Sequence, residues 1–288
     1  MYAVQYLEYQ LHKSDLQNDA LEETLHALSD CYNQLHLPLY VVGASARDIT
    51  NRLLDIPNIA RRTLDLDVAV ALQNWAEYEQ LTQILLQNNF IKAPEKQRFY
   101  YIGAGINKFE VDIVPFGSIA EQEQIAWPPE GSPVMSVKCF DDVMRHADKV
   151  DIDGEYAFYI ASLSGQFIIK LDTWQDRHLT TRKDAVDMIF ILQNVYVAYA
   201  LSRQALPIEI TIDTEQFDVI IAGAEWIASD LRNILSEEHR KYYAQTLLSE
   251  IAKEEDSDLL NDMLDVSDSS KYNVICRSLT RIAEILQS

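Results

Sequence analysis

The pattern of apolar and polar positions divides the chain into two parts. Up to about residue 160, short apolar runs of β type alternate with stretches of helical spacing. Beyond that point nearly every segment has helical spacing, and the exception is a short β-like run at 207–212. The pattern therefore predicts an α/β (α+β) fold, a mixed sheet with flanking helices followed by a C-terminal helical domain. We place the two domains at 1–158 and 159–288.

The elements of each part follow from local spacing and turn residues. The predicted helices of the first part are 16–36, 44–54 and 75–90, and its predicted strands are 38–42, 64–72, 98–103, 108–114, 134–140 and 149–160. The predicted helices of the second part are 161–177, 182–203, 215–234, 236–253, 257–265 and 271–287. The run at 64–72 alternates and then becomes continuously apolar, which is typical of a central strand with polar residues at its start.

Composition narrows the class of protein. The chain has 288 residues, of which 48% are apolar and 24% charged, and these are globular proportions. Its 24 basic and 45 acidic side chains give a net charge of −21, which excludes broad coating of nucleic acid but leaves room for a local basic pocket. Cys31, Cys139 and Cys276 form no paired motif, so we expect free thiols and a cytoplasmic protein. No apolar run has the ~20 residues that a membrane span needs.

The strongest chemical signal is the pair Asp65 and Asp67 at the start of a predicted strand. Residues i and i+2 of a strand point to the same side, so the two carboxylates repel each other unless a cation lies between them. Hard oxygen ligands suit Mg²⁺, or Mn²⁺ in its place. The alternative is that the pair only marks a strand that begins in a polar loop.

A small-residue turn lies upstream of this pair. Gly43, Ala44 and Ser45 connect a predicted strand to a predicted helix. Such a turn exposes backbone N–H groups and the positive end of the helix dipole, which together bind phosphate oxygens. The alternative is an ordinary tight turn.

A third carboxylate lies on a later strand. Asp112 would share a strand face with Glu110 and Val114, and an Asp within a β-run needs a partner or a metal unless it faces water from an edge strand. Together the turn, the aspartate pair and Asp112 describe a two-metal site for phosphoryl transfer. In such a site Asp112 could also accept the proton of the attacking hydroxyl.

These motifs resemble the nucleotidyltransferase superfamily to which DNA polymerase beta belongs. Its pattern is a Gly-Gly or Gly-Ser turn, a helix, an Asp-x-Asp strand and a later Asp, which here correspond to YVVGAS, LDLDVAV and FEVDIV. One departure is that Ala44 follows Gly43 and Ser45 comes one position later. Either Ala44 or Ser45 could therefore be the residue that meets phosphate.

The second half narrows the resemblance to AbiEii/AbiGii-type toxin nucleotidyltransferases, through residues 167–190. The resemblance implies that Lys170 contacts the triphosphate, and that Asp187, alone or with Asp184, positions that lysine or the nucleotide. Lys170 and Arg177 recur on one helix face, and the alternative for Lys170 and Asp187 is a structural ion pair between helices. Without the resemblance, that alternative is the better interpretation.

A second family is similar over the first motif alone. YVVGASARDITNRLL resembles the GGxVRD opening of tRNA-nucleotidyltransferases and poly(A) polymerases. Those families carry an RRDF-type motif after the catalytic half, and this chain has none, so this resemblance ranks lower.

The expected activity is Mg²⁺-dependent transfer of NMP from NTP to a hydroxyl, with release of pyrophosphate. The AbiEii resemblance implies tRNA or a protein as the acceptor, a toxin role in a type IV toxin–antitoxin system and an antitoxin as a possible partner. Two alternatives remain: a non-catalytic protein that binds a nucleotide or a partner, and a nucleotidyltransferase of small molecules such as antibiotics. An RNA acceptor would be held locally by basic residues. The candidates are Arg47, Arg52, Arg61, Arg62, Arg177, Arg182 and Lys183.

Overall fold

A computed structural model describes residues 7–56, 65–103, 108–202, 217–264 and 271–288. The chain divides into two compact units. Ala3–Leu53 and Pro57–Ser162 form the first, and Leu54–Ile56 and Leu163–Ser288 belong to the second. The functional domains at 1–158 and 159–288 stay a prediction.

The first unit contains both strands and helices. Its strands are β1 (Glu8–Leu11), β2 (Tyr40–Val42), β3 (Asp65–Ala71), β4 (Phe90–Lys92), β5 (Arg98–Tyr101), β6 (Phe109–Phe116), β7 (Gln124–Ala126), β8 (Val134–Ser136), β9 (Asp148–Ile152) and β10 (Tyr156–Ile160). Its helices are α1 (Asp19–Gln34), α2 (Gly43–Leu53), α3 (Trp75–Gln87) and α4 (Phe140–Met144).

The large sheet of the first unit is mixed. Within the described ranges it has eight strands in the order β1-β9-β10-β2-β3-β6-β5-β4. The central strand β3 runs antiparallel to β2 and parallel to β6, and β5 runs antiparallel to β6. The predicted pairing of 98–103 with 108–114 is therefore confirmed, and so is the central position of the strand predicted at 64–72.

Alternation of side chains fixes which face of the two central strands is buried. In β3, Leu66, Val68 and Val70 are buried, and in β6 Val111 and Ile113 are buried. Burying an aliphatic side chain of this size contributes about 1.5–3 kcal/mol, so a shift by one residue is strongly disfavoured. The residues between them therefore share the opposite face. The edge-strand interpretation of β6 is wrong, because β6 lies between β3 and β5.

The second unit is helical in its described residues. Its helices are α5 (Leu163–Arg177), α6 (Lys183–Ser202), α7 (Val219–Ile234), α8 (Glu237–Ile251), α9 (Asp258–Met263) and α10 (Tyr272–Gln287). Helix α7 packs against α5, α6 and α10. A mixed sheet with flanking helices followed by a helical region confirms the predicted fold class. The β-like run predicted at 207–212 lies outside the described residues.

Helix α6 is the one helix in the described ranges that is long and apolar enough to cross a membrane by length and composition. Its Asp184 and Asp187 are buried in ion pairs, and it packs between α5 and α7. This is the pattern of a core helix in a helical bundle.

The short elements differ most from the sequence prediction. Strands β1 and β4 were not predicted, and where a strand was predicted at 134–140 the structure has β8 followed by helix α4. Strand β1 is held by pairing with β9, some 140 residues later in the chain. Short segments of this kind depend on distant partners, so local spacing does not reveal them.

Candidate active site

Gly43 brings the first turn of helix α2 directly against Asp67. Its φ of +66° is in the left-handed region, and a Cβ placed on it would lie 2.1 Å from Oδ2 of Asp67. Val42, which ends β2, is the register partner of Asp67 in β3. Position 43 therefore requires glycine both for its backbone conformation and for space. The result is a carboxylate held beside the N-terminus of α2, where the helix dipole is positive.

The register of β3 with β6 assembles the predicted carboxylates on one face. Asp65 pairs with Glu110, and Asp67 pairs with Asp112. All four alternate with the buried apolar positions of the two strands, so they lie on the side opposite the core. We call these four residues, Asp65, Asp67, Glu110 and Asp112, the acidic face.

An arginine that sequence reasoning missed is bonded to this face. Arg98 opens β5 and is the register partner of Asp112. Its Nε donates to Oδ1 of Asp112 at 2.8 Å and its second terminal nitrogen donates to Oδ2 at 2.9 Å, while Nη1 lies 2.7 Å from Oε1 of Glu110. Arg98 starts a predicted strand that was expected to pair with the strand of Asp112. The exact register, which brings the two side chains together, was not derivable from that pairing.

Arg98 and Glu110 both have pKa values above their ordinary ones. The hydrogen bond to Asp112 raises the pKa of Arg98 above its ordinary value, against the effect of burial. Burial raises the pKa of Glu110 above its ordinary value; the charge of Arg98 opposes this, and the charges of Asp112 and Asp65 add to it. Burial is the largest cause of this shift and the neighbouring carboxylates add to it, so the charge of Arg98 does not offset it.

The donor set fits a divalent cation at Asp65 and Asp67. Carboxylate oxygens two residues apart on one strand face are ligands that Mg²⁺ and Mn²⁺ take, and the carboxylate of Asp67 lies directly against Gly43. Both oxygens of Asp112, the third predicted ligand, accept hydrogen bonds from Arg98, and its part in a metal site stays a prediction. The described part of the chain contains no group of three His, Cys, Asp or Glu residues that could hold a metal ion.

Ala44 and Ser45, the other residues of the turn, lie in the first turn of helix α2. Ser45 is buried, and its hydroxyl donates to the carbonyl oxygen of Asp65 at 3.0 Å, which ties the start of α2 to the start of β3. Ala44 is half-buried. The hydroxyl of Ser45 is thus engaged with backbone, so a phosphate contact from this residue would come from its N–H. Arg47 bonds the neighbouring Asp48, with Nε and a terminal nitrogen 3.1 and 2.9 Å from Oδ1.

The second unit holds Lys170, Arg177, Asp184 and Asp187 together, and we call these four residues the α5–α6 ion cluster. Nζ of Lys170 lies 3.2 Å from Oδ1 of Asp184 and 2.8 Å from Oδ2 of Asp187. Nε and a terminal nitrogen of Arg177 donate to the two oxygens of Asp184 at 2.7 and 2.9 Å. The side chain of Asp184 is 0% exposed and that of Lys170 is 12% exposed.

Asp184 is the buried centre of this cluster. Burial alone would raise the pKa of its carboxyl, but the hydrogen bond from Arg177 and the charges of Lys170 and Arg177 outweigh burial and lower that pKa below its ordinary value. The inter-helix ion pair that the sequence left as an alternative for Lys170 and Asp187 is therefore present. A role of these residues in nucleotide binding stays a prediction.

The remaining basic candidates have separate surroundings. The guanidinium of Arg52 donates to the carbonyl oxygen of Asp15. Arg182 and Lys183 are exposed at the start of α6. Arg61 and Arg62 lie outside the described residues.

Comparison with known proteins does not assign this chain to a family. No protein-family model matches the chain, and no curated protein matches it. Among solved structures, the chain is similar to the Thermotoga maritima CCA-adding enzyme complexed with tRNA_CCA, at 12% identity and a TM-score of 0.25, over 94% of this chain and 83% of that one. A TM-score this low does not establish that two folds correspond, so the similarity assigns neither a fold nor an activity.

Proposed function

We propose that this protein is a nucleotidyltransferase that moves NMP from NTP to a hydroxyl acceptor. The observation that carries the proposal is the approach of Gly43 to Asp67 on the acidic face. A glycine turn at a helix N-terminus touches an aspartate that is in register with Asp112 and two residues from Asp65. A phosphate-binding turn and a metal-binding carboxylate pair are the two parts that phosphoryl transfer needs.

Each residue has a chemical role in this proposal. Asp65 and Asp67 would hold Mg²⁺ or Mn²⁺, which when bound neutralises charge on phosphate oxygens. Backbone N–H groups of Gly43, Ala44 and Ser45 would donate to phosphate oxygens at the positive end of α2. The acceptor oxygen would form a bond to the α-phosphorus as the bond to the β-phosphate oxygen breaks. The hydroxyl proton would pass to the carboxylate of Asp112, and pyrophosphate would leave.

Arg47, Lys170 and Asp187 enter the proposal through the family resemblance. Arg47 would contact phosphate from α2, Lys170 would contact the triphosphate, and Asp187 would position Lys170. A basic side chain that already bonds a carboxylate can exchange that partner for a phosphate oxygen, since both are anionic acceptors of the same geometry.

The biological setting rests on the AbiEii resemblance alone. The acceptor would be tRNA or a protein in the cytoplasm, the NTP would be the donor, and the protein would act as the toxin of a type IV toxin–antitoxin system. An antitoxin encoded next to it would be its partner. A small basic protein would suit a chain with a net charge of −21.

The test is release of pyrophosphate from labelled NTPs with Mg²⁺ in the presence of a tRNA pool, a protein pool or an aminoglycoside. We expect turnover with tRNA or protein, and at least about a hundredfold less in the double variant Asp65→Asn/Asp67→Asn, since loss of both metal ligands removes the metal's contribution. Glu8→Gln is the matched control, because Glu8 is an exposed carboxylate on strand β1. Turnover with the aminoglycoside and none with RNA or protein would support the small-molecule alternative.

A second candidate function is non-catalytic binding of a nucleotide or a partner on the same fold. It is favoured by the bond of Asp112 to Arg98, which leaves two carboxylates for a metal where two-metal catalysis needs three. This candidate predicts that the chain binds NTP and that no acceptor pool yields pyrophosphate. The two functions therefore differ in turnover and not in binding.

A further inference from the structure

Arg98 and Asp112 form a bidentate ion pair, with one hydrogen bond to each carboxylate oxygen. The guanidinium approaches Asp112 with two parallel N–H groups, one for each oxygen, at 2.8 and 2.9 Å. The side chains of Arg98 and Asp112 are 25% and 18% exposed. Bidentate charge-assisted pairs of this kind are roughly twice as strong as neutral hydrogen bonds.

This contact competes directly with the role proposed for Asp112. A divalent cation bonded to either oxygen of Asp112 would lie close to the guanidinium, and like charges at such a distance repel. A carboxylate held in the arginine fork is also a weaker proton acceptor, because its charge is already stabilised. Arg98 therefore disfavours a metal ion at Asp112 for as long as it bonds both oxygens of that carboxylate.

Glu110 offers Arg98 a second partner that the site does not otherwise use. It lies two residues before Asp112 on the same face of β6, and its Oε1 is 2.7 Å from Nη1 of Arg98. If Asp112 turned away, Arg98 would keep an ion pair through Glu110. The guanidinium of Arg98 can therefore stay bonded to Glu110 while its bonds to Asp112 are exchanged.

We propose that Arg98 is an exchangeable counter-ion for Asp112, tethered by Glu110, which holds Asp112 until a divalent cation displaces it. Arg98 is then a positioning residue that sets metal affinity and orients Asp112. The inference rests on the proposed function for the use of the metal, but it concerns a step that precedes any reaction.

The test measures Mn²⁺ binding by electron paramagnetic resonance, with the full chain and without nucleotide. Arg98→Gln removes the fork and the charge, and we expect its Mn²⁺ affinity to rise about tenfold over the original protein. Arg98→Lys keeps the charge and loses the fork, and we expect a gain of about threefold, because lysine cannot hold both oxygens. The matched control is Arg145→Gln, in which the arginine is 67% exposed and 4.0 Å from Asp142; we expect no change.

A double variant separates exchange at Asp112 from a general effect of charge. In Arg98→Gln/Asp112→Asn the gain should disappear, because the carboxylate that Arg98 blocked is gone. A gain that persists in the double variant overturns the proposal, since Arg98 would then act through its charge alone. Equal Mn²⁺ affinity in the original protein and both Arg98 variants overturns it as well. If Arg98→Gln does not fold, Arg98→Lys and its double variant with Asp112→Asn carry the test.

Failure of this inference and failure of the proposed function have different signatures. If only the inference is wrong, the original protein still binds Mn²⁺, and Asp65→Asn/Asp67→Asn abolishes that binding. If the proposed function is wrong, no acceptor gives pyrophosphate, whether or not the original protein binds Mn²⁺.

Discussion

The two units of this protein each gather acidic and basic side chains, but in different proportions. In the α5–α6 ion cluster, two cations meet two carboxylates, and the central one, Asp184, is fully buried. On the acidic face, one arginine bonds two of four carboxylates, and Asp65 is exposed to solvent. The first cluster joins two helices through matched charges, whereas the second accumulates negative charge at a strand surface.

The difference separates a cluster whose charges are compensated within the protein from a group of carboxylates with excess negative charge. A buried carboxylate is tolerated only when its charge is compensated within the protein, so removing one member of a balanced cluster leaves an uncompensated buried charge. Carboxylates that crowd together destabilise the fold slightly unless a cation from outside joins them.

The largest effect should follow from Gly43→Ala. The new Cβ would overlap the carboxylate of Asp67 at 2.1 Å, and alanine would be strained at a φ of +66°. We expect a loss of about 4 kcal/mol in the free energy of unfolding, measured by urea denaturation, together with loss of Mn²⁺ binding. Gly154→Ala is the control, because Gly154 has a φ of +70° and a Cβ added to it would meet nothing within 4 Å. It should lose about 1 kcal/mol, and an equal loss in both variants would show that space beside Asp67 is unimportant.

The next largest effect is a difference in the free energy of unfolding between a variant of the α5–α6 ion cluster and a variant of the acidic face. Asp184→Asn removes the buried charge that Lys170 and Arg177 share, and we expect a loss of about 3 kcal/mol in urea denaturation without metal. Asp67→Asn removes one of the crowded carboxylates, and we expect a change of less than about 1 kcal/mol under the same conditions. A loss at Asp67 as large as at Asp184 would mean that both clusters are structural.

The smallest effect concerns pH, and here the two clusters should respond in opposite directions. The pKa of Asp184 is lowered in the folded state, so its stabilisation is present above its ordinary value of 3.8 and is lost as pH falls through the folded pKa. The pKa of Glu110 is raised, so its contribution is most favourable below its ordinary value of 4.5 and declines as pH rises through the folded pKa.

Thermal unfolding between about pH 2.5 and pH 7 can measure both contributions. The stability advantage of the original protein over Asp184→Asn should shrink on acidification below 3.8, and its advantage over Glu110→Gln should shrink on raising the pH above 4.5. Matching pH profiles for the two variants would remove the electrostatic distinction between the clusters.

Much of the fold followed from local pattern because long elements carry their own signal. Helices α1, α3 and α5 to α10 lie within a few residues of the predicted ranges, since each buries one apolar face at helical spacing. Strand β4 and helix α4 were missed because segments of three to five residues have too few positions to show a period. Neighbouring elements, and not their own residues, give such segments their conformation.

Some features of the candidate site also followed from local sequence alone. Alternation along one strand predicted that Asp65 and Asp67 share a side and that Asp112 lies opposite Val111 and Ile113, because that period is a property of the extended backbone. The sequence alone also placed a glycine turn before the helix, through Gly43. These features need no distant partner.

Only the tertiary structure decided which residues of different strands lie next to each other. The pairing of Asp67 with Asp112 depends on the register of β3 with β6, and the bond of Arg98 to Asp112 depends on the register of β5 with β6. Register is set by the packing of buried side chains such as Val68 and Ile113 over the whole sheet, which no local stretch of sequence contains. The sequence alone therefore showed which strand positions carry carboxylates, and only the fold showed that Arg98 bonds both Asp112 and Glu110.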